Sequence, residues 1–307
     1  VQRWGGPGAL FAWDLWNEIH PANAEDSADC FGEVIEDLSG HVRQLEKQLY
    51  GRSHLQTVSL FGPELRWQPD LPLREPIFRH PALDFATIHI YRERSIDAPR
   101  DTVAPARAMG RIVQECLTEI ADGRPFLDTE HGPIHSFKDR RITLPEPFDD
   151  EYFRHIAWAH LASGGAGGGM RWPNRHPHVL TAGMRRAQKA MADFLPLIDW
   201  ARFRRRNLGE RARAPQHHVF ACGDNEQAIV WLLRSNSPGA DGRMRRDEPP
   251  KQAVITLPLA SPHVRVSEWD TAQGELVRQS DHQTGGGTLH YRTTAFAADL
   301  ALAVVAR

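Results

Sequence analysis

A chain of 307 residues, 41% hydrophobic and 25% charged, is long enough to bury one large core or two of ordinary size. Its formal net charge of −2 supplies no field that would gather nucleic acid or an anionic membrane. No apolar run reaches the ~18 residues of a membrane-spanning helix, and Cys30, Cys116 and Cys222 are too few and too scattered for a disulfide framework or a zinc cluster. The first residue is Val1, and the densest motif begins within a dozen residues of it, so a preceding segment is expected to be missing.

Taken in order, short apolar runs at 9–15, 55–61, 85–91, 125–129 and 167–172 predict strands. Between them Ile35, Leu38, Val42, Leu45 and Leu49 step by three and four, which places them on one helical face. Ile112, Cys116 and Ile120 do the same, with Val113 and Leu117 beside them, and Cys116 is assigned to the core. A helix is expected over 149–163, and Met184, Ala187, Met191 and Leu195 form a last stripe. Strands alternating with helices predict an α/β fold built on a parallel sheet. The Arg-rich stretch from Arg202 to Arg213 reads as a solvated connector. Beyond it, apolar runs at 228–233, 253–257, 264–269, 288–291 and 300–305 alternate with turn-rich pieces, the pattern of an all-β sandwich. The expected domains are therefore 1–213 and 214–307.

The apolar run ending in Asn17 and Glu18 delivers an amide and a carboxylate to a strand end. In a βα barrel the C-terminal strand ends open into the active site, although the same two residues would also serve to cap a loop. A second run, 124–132, delivers Glu130 in the same way and is followed by Gly132, where the backbone can turn sharply. Two strand-end glutamates on one barrel suit glycoside hydrolysis, which needs two carboxylates across a sugar ring. Burial and like charge keep one protonated as acid, while hydrogen bonds keep the other ionised as nucleophile.

Trp13-Asp14-Leu15-Trp16-Asn17-Glu18 resembles the fourth-strand motif of clan A glycoside hydrolases, most like family 5, the cellulase and mannanase group. Phe126-Leu127-Asp128-Thr129-Glu130-His131-Gly132 is similar to the seventh-strand motif, and His89-Ile90-Tyr91 to the sixth-strand His-x-Tyr. The segment from Trp158 to Trp172 resembles the last helix and eighth strand, and the β-rich tail with Glu268-Trp269-Asp270 resembles a C-terminal sandwich. The likeness implies a (β/α)8 TIM-type barrel present from strand four to strand eight, followed by the sandwich. It implies a retaining β-glycoside hydrolase with Glu18 as acid/base and Glu130 as nucleophile, without cofactor or metal. Asn17 would bond the sugar 2-hydroxyl, Tyr91 the nucleophile, His89 would line the site, and Trp172 would form its floor.

His131 stands where the clan usually has an aromatic residue, so it either lines the site or is tolerated there. Strands one to three have no counterpart, and neither does the strand-two arginine that steadies the nucleophile. Three absent steps correspond to roughly 90–120 residues, supplied by a longer natural protein or a second chain. Trp16 reads equally as core or as a sugar subsite. Glu64 could reach substrate, but reads more simply as a loop residue. His176/His178 and His217-His218 lack a third ligand at metal-like spacing. The expected partner is a carbohydrate substrate, with neither nucleic acid nor membrane, and the substrate class favours a secreted or periplasmic protein. Two rivals stand beside the enzyme reading, a catalytically silent carbohydrate-binding protein and a scaffold whose β domain binds partners or cell wall.

Overall fold

The computed structural model describes residues 1–6, 8–19, 30–62, 73–91, 93–120, 122–133, 144–171, 180–235, 238–245 and 247–307. The chain forms two compact units, one made of residues 1–92, 115–132 and 166–172, the other of 93–114, 133–165 and 173–307.

The first unit is built on parallel strands. These are β1 (Ala12–Asp14), β2 (Leu55–Thr57), β3 (Ser59–Phe61), β4 (Ala86–Ile90), β5 (Phe126–His131) and β6 (Gly167–Arg171). β1 pairs with β2, and β3, β4, β5 and β6 are hydrogen-bonded in chain order, every pairing parallel. Only Val58 separates β2 from β3, so the two form one extended run and all the predicted strands appear. Parallel strands are covered on both faces and need side chains that tolerate burial throughout. β4 meets this demand, being buried at every position, and Leu60, Ile88 and Phe126 join it in the core. The strand order is that expected of a barrel from its fourth strand onward. Among the described residues these strands form two parallel sheets, the pair β1-β2 and the four strands β3-β4-β5-β6.

Helix α1 (Phe31–Tyr50) buries Phe31, Ile35, Ser39, Val42 and Glu46, at steps of four, four, three and four. This differs from the stripe read in the sequence, because Leu49 is 45% exposed. The cause is Glu46. Its carboxylate is fully buried, takes hydrogen bonds from Trp13 Nε1 at 2.8 Å and the His54 backbone N–H at 2.8 Å, and pairs with His54 Nδ1 at 2.7 Å. A buried carboxylate with that many donors fixes the helix rotation more firmly than one leucine does. It also ties α1 to β1, the strand that leads to Glu18. The helix stops at Gly51, whose φ of 69° is left-handed and open to glycine without strain.

The second unit contains α2 (Arg94–Asp97), most of α3 (Val103–Ile120), α4 (Glu146–Ala162), α5 (Ala182–Phe194) and eight strands. The strands are β7 (Arg206–Asn207), β8 (His217–Gly223), β9 (Gln227–Arg234), β10 (Lys251–Pro258), β11 (His263–Asp270), β12 (Glu275–Gln283), β13 (Thr288–Phe296) and β14 (Asp299–Ala306). They form an antiparallel sheet in the order β12-β11-β14-β9-β8-β7 and a separate antiparallel pair, β10-β13. Val230, Leu232, Val266 and Leu302 of the larger sheet share one apolar core with Ile255, Leu257 and Leu289 of the pair. Two antiparallel layers over one core are consistent with the expected sandwich. The Arg-rich stretch, read as a connector, supplies β7 through Arg206.

β9 is buried along its whole length, which a strand with one solvated face would not be. Its second face is covered through α4, where the His155 ring lies 5.5 Å from Trp231. Asp299 at the start of β14 accepts from Arg154 at 3.1 Å, Trp231 Nε1 at 3.0 Å and the Thr271 hydroxyl. Burial alone would raise the pKa of this carboxyl, but Arg154, His155 and Thr271 hold it well below the usual carboxylate range. Removing one partner of such a buried pair costs about 3–5 kcal/mol.

Candidate active site

The first unit positions the two glutamates through its strand ends. After β1 the chain runs beside β2 and β3, with Leu15 N–H donating to Thr57 O at 2.8 Å and Ser59 N–H to Trp16 O at 3.1 Å. The Ser59 hydroxyl then accepts from Glu18 N–H at 3.2 Å, and Ile19 N–H donates to Ser59 O at 3.3 Å. Glu18 itself sits at φ 51°, in the left-handed region that a residue with a Cβ rarely adopts. Such a conformation costs of order 1–3 kcal/mol and persists only where its surroundings impose it. Here Ser59 is what imposes it.

His89 and Tyr91 are two apart along one extended run and face the same way. β5 contains an extra residue. Ile88 is opposite Asp128 and His89 is opposite Glu130, so Thr129 is bulged out of register. In a regular strand Asp128 and Glu130 would share a face. The bulge instead sets Glu130 beside His89, the re-aiming that bulges supply next to active sites.

The groups converge. His89 Nδ1 lies 2.7 Å from Glu18 Oε1 and 3.3 Å from Glu130 Oε2, and the Tyr91 hydroxyl donates to Glu130 Oε1 at 2.5 Å. One ligand-type atom from each of Glu18, His89 and Glu130 falls within 4.8 Å of the other two. A divalent cation would take the same atoms, yet a proton on Nδ1 accounts for both short contacts without one. Burial of the Tyr91 hydroxyl, its bond to Glu130 and the negative charges around it push its pKa far up, so it stays a donor. Desolvation by its surroundings likewise raises the Asp14 carboxyl, against the hydrogen bonds it receives from Ser59, although the residue is exposed.

His89 is 2% exposed, and burial works against its charged form. The hydrogen bond to Glu18 and the charges of Glu130, Glu18 and Asp14 outweigh burial, and its pKa is raised. A folded value above the ordinary ~6.5 gives stability that is fully present below about pH 6.5 and is lost as pH rises through the folded value. The difference in urea midpoint between wild type and His89→Gln is therefore expected to be largest near pH 5.5 and to shrink toward pH 9. A difference that stayed constant over that range would show that the imidazolium is not its source.

The remaining expectations divide. Trp16 is 51% exposed, which excludes the core reading, and Asn17 is exposed beside Glu18. His131 is buried with its Nδ1 2.6 Å from Oδ2 of the fully buried Asp128. Trp172, Glu64, His176 and His178 lie outside the described residues. His217 and His218 are neighbours along β8 and project to opposite faces. Cys116 is buried as expected. Ser59 and Asp14 had no place in the sequence reading. Asp14 stood in the quoted motif an even number of residues before Glu18, whereas nothing in the sequence marks Ser59.

The strand ends of this unit bring two glutamates, a histidine and a tyrosine together. No protein-family profile matches the chain, and no curated protein sequence matches it. Solved structures do. A glycoside hydrolase family 5 protein from Bacteroides vulgatus matches with a TM-score of 0.58 and 12% identity, over 99% of this chain and 63% of that one. The glycoside hydrolase family 30 subfamily 8 xylanase Xyn30A from Clostridium acetobutylicum matches with a TM-score of 0.51 and 13% identity, over 97% and 66%. A third structure, described as a glycoside hydrolase, gives 0.50 and 15% over 88% and 60%. The chain thus shares its fold with solved glycoside hydrolases and spans between 60% and 66% of their lengths.

Proposed function

We propose that this chain carries the catalytic pair of a retaining β-glycoside hydrolase, nearest in kind to family 5, acting on a β-linked oligo- or polysaccharide. The observation that supports it most is the spacing, with an oxygen of Glu18 and an oxygen of Glu130 within 4.8 Å of each other. Retaining enzymes hold their carboxyl groups ~5–5.5 Å apart, and inverting ones ~6.5–9.5 Å apart to admit a water.

In this reading Glu130 attacks the anomeric carbon as the bond to the leaving oxygen breaks, and Glu18 passes its proton to that oxygen. Glu18, now a carboxylate, takes a proton from water. The water oxygen attacks the same carbon, and the bond to Glu130 breaks. Tyr91 occupies Oε1 of Glu130, which leaves Oε2 for the attack. His89 holds a proton between the two carboxylates and so relieves their repulsion. Its transfer across the 2.7 Å hydrogen bond from Nδ1 to Oε1 converts Glu18 to its acid form and leaves His89 neutral. The proton belongs to the cluster, and activity should follow apparent pKa values of the group as a whole. Asn17 and Trp16 stand exposed beside Glu18 as sugar contacts, and no cofactor takes part. A polymeric substrate favours a secreted or periplasmic setting.

The test is stereochemical. Hydrolysis of an aryl β-glycoside by the natural full-length protein, followed by proton NMR in the first minutes, should give the β anomer first. The α anomer as first product would sink the proposal.

A further inference from the structure

In the second unit a cleft of about 350 Å³ is lined by Arg107 on α3, Arg213, and His217, His218, Val219 and Phe220 of β8. Among the described residues no carboxylate lines it. Arg213 Nη1 donates to the backbone carbonyls of Gly209 at 3.2 Å and Ala212 at 2.9 Å, and no carboxylate pairs with it among the described residues. Glu93, which shares the adjoining cleft with Arg107, is held by Arg111 at 2.5 Å. His217 Nδ1 donates to Pro215 O at 2.7 Å, and its Nε2 is buried with no hydrogen-bond partner among the described residues. Burial lowers the pKa of His217, and burial with Arg107 lowers that of His218, so both rings stand neutral beside the arginines.

A concave site with two guanidinium groups that have no carboxylate partner among the described residues, set against an apolar wall, has the make-up of a small-molecule anion site. We propose that this cleft binds a small molecule bearing a phosphate or carboxylate group, taken by Arg107 and Arg213, with its apolar body against Val219 and Phe220. With Nδ1 donating to Pro215 O, the neutral His217 ring leaves Nε2 as an acceptor, and a hydroxyl carried by the ligand would supply the donor it lacks. The site is separate from the glutamate pair and does not depend on the activity proposed for it.

Calorimetric titration of the full chain at low ionic strength with inorganic phosphate, glucuronate and glucose tests this. Phosphate or glucuronate should bind and glucose should not. Which anion binds more tightly identifies the phosphate or the carboxylate source. The double variant R107Q/R213Q should bind at least tenfold more weakly, and both residues are exposed, so the core is untouched. The single variant R107Q, on an exposed helical face, should show part of the same loss. Binding of neither anion, equal binding by the double variant, or glucose binding as tightly as glucuronate would overturn the proposal.

Discussion

Glutamine in place of Glu130 should lower kcat by on the order of 10⁴-fold or more, the scale on which removing a covalent nucleophile acts. The amide has nearly the same shape as the carboxylate. It can still accept from Tyr91, which now donates to Oε1 at 2.5 Å, so the pocket survives the exchange. What disappears is the negative oxygen that the proposed mechanism sets against the anomeric carbon. KM should change little and the thermal midpoint should hold, which separates lost chemistry from lost fold. Activity within tenfold of wild type would remove Glu130 from the nucleophile role.

Loss of Glu18 should have a different signature, because its contribution depends on the leaving group. General acid catalysis contributes about 10²–10⁴-fold. Glu18→Gly should therefore lose that much on a disaccharide linkage while still cleaving an aryl glycoside whose phenolate departs unaided. Glycine is the better replacement, since it takes the positive φ of position 18 without the strain that alanine would keep. Breakdown of the glycosyl-enzyme would then limit turnover. Added azide, which needs no base, should restore the rate and yield a β-glycosyl azide. An equal loss on both substrates, with no response to azide, would show that Glu18 is not the acid/base.

Much of this arrangement was legible in the sequence, because each strand announced itself as an apolar run and the chemistry sat in polar residues at the ends of those runs. The parallel order of β1 to β6, and the pairing of Glu18 with Glu130, follow from strands that alternate with helices and need burial on both faces. What escaped was set by tertiary partners. The rotation of α1 is decided by Trp13 and His54 gripping Glu46, and periodicity alone had put Leu49 in that stripe. The left-handed turn at Glu18 depends on a serine from a strand 41 residues away. The bulge at Thr129 has no local signal, yet it decides which face Glu130 shares with His89. His131 was open between lining the site and being tolerated, and its contact with the buried Asp128 was not foreseen.

The proposed hydrolase activity depends on Glu130 forming a bond to a sugar carbon. Incubating the protein with a 2-deoxy-2-fluoro β-glycoside bearing a good leaving group should trap that ester, because the fluorine slows its breakdown. Peptide mapping by mass spectrometry should then place a single added sugar on the fragment containing Glu130. A label on any other residue, or turnover of natural substrate with no label under these conditions, would contradict the assignment.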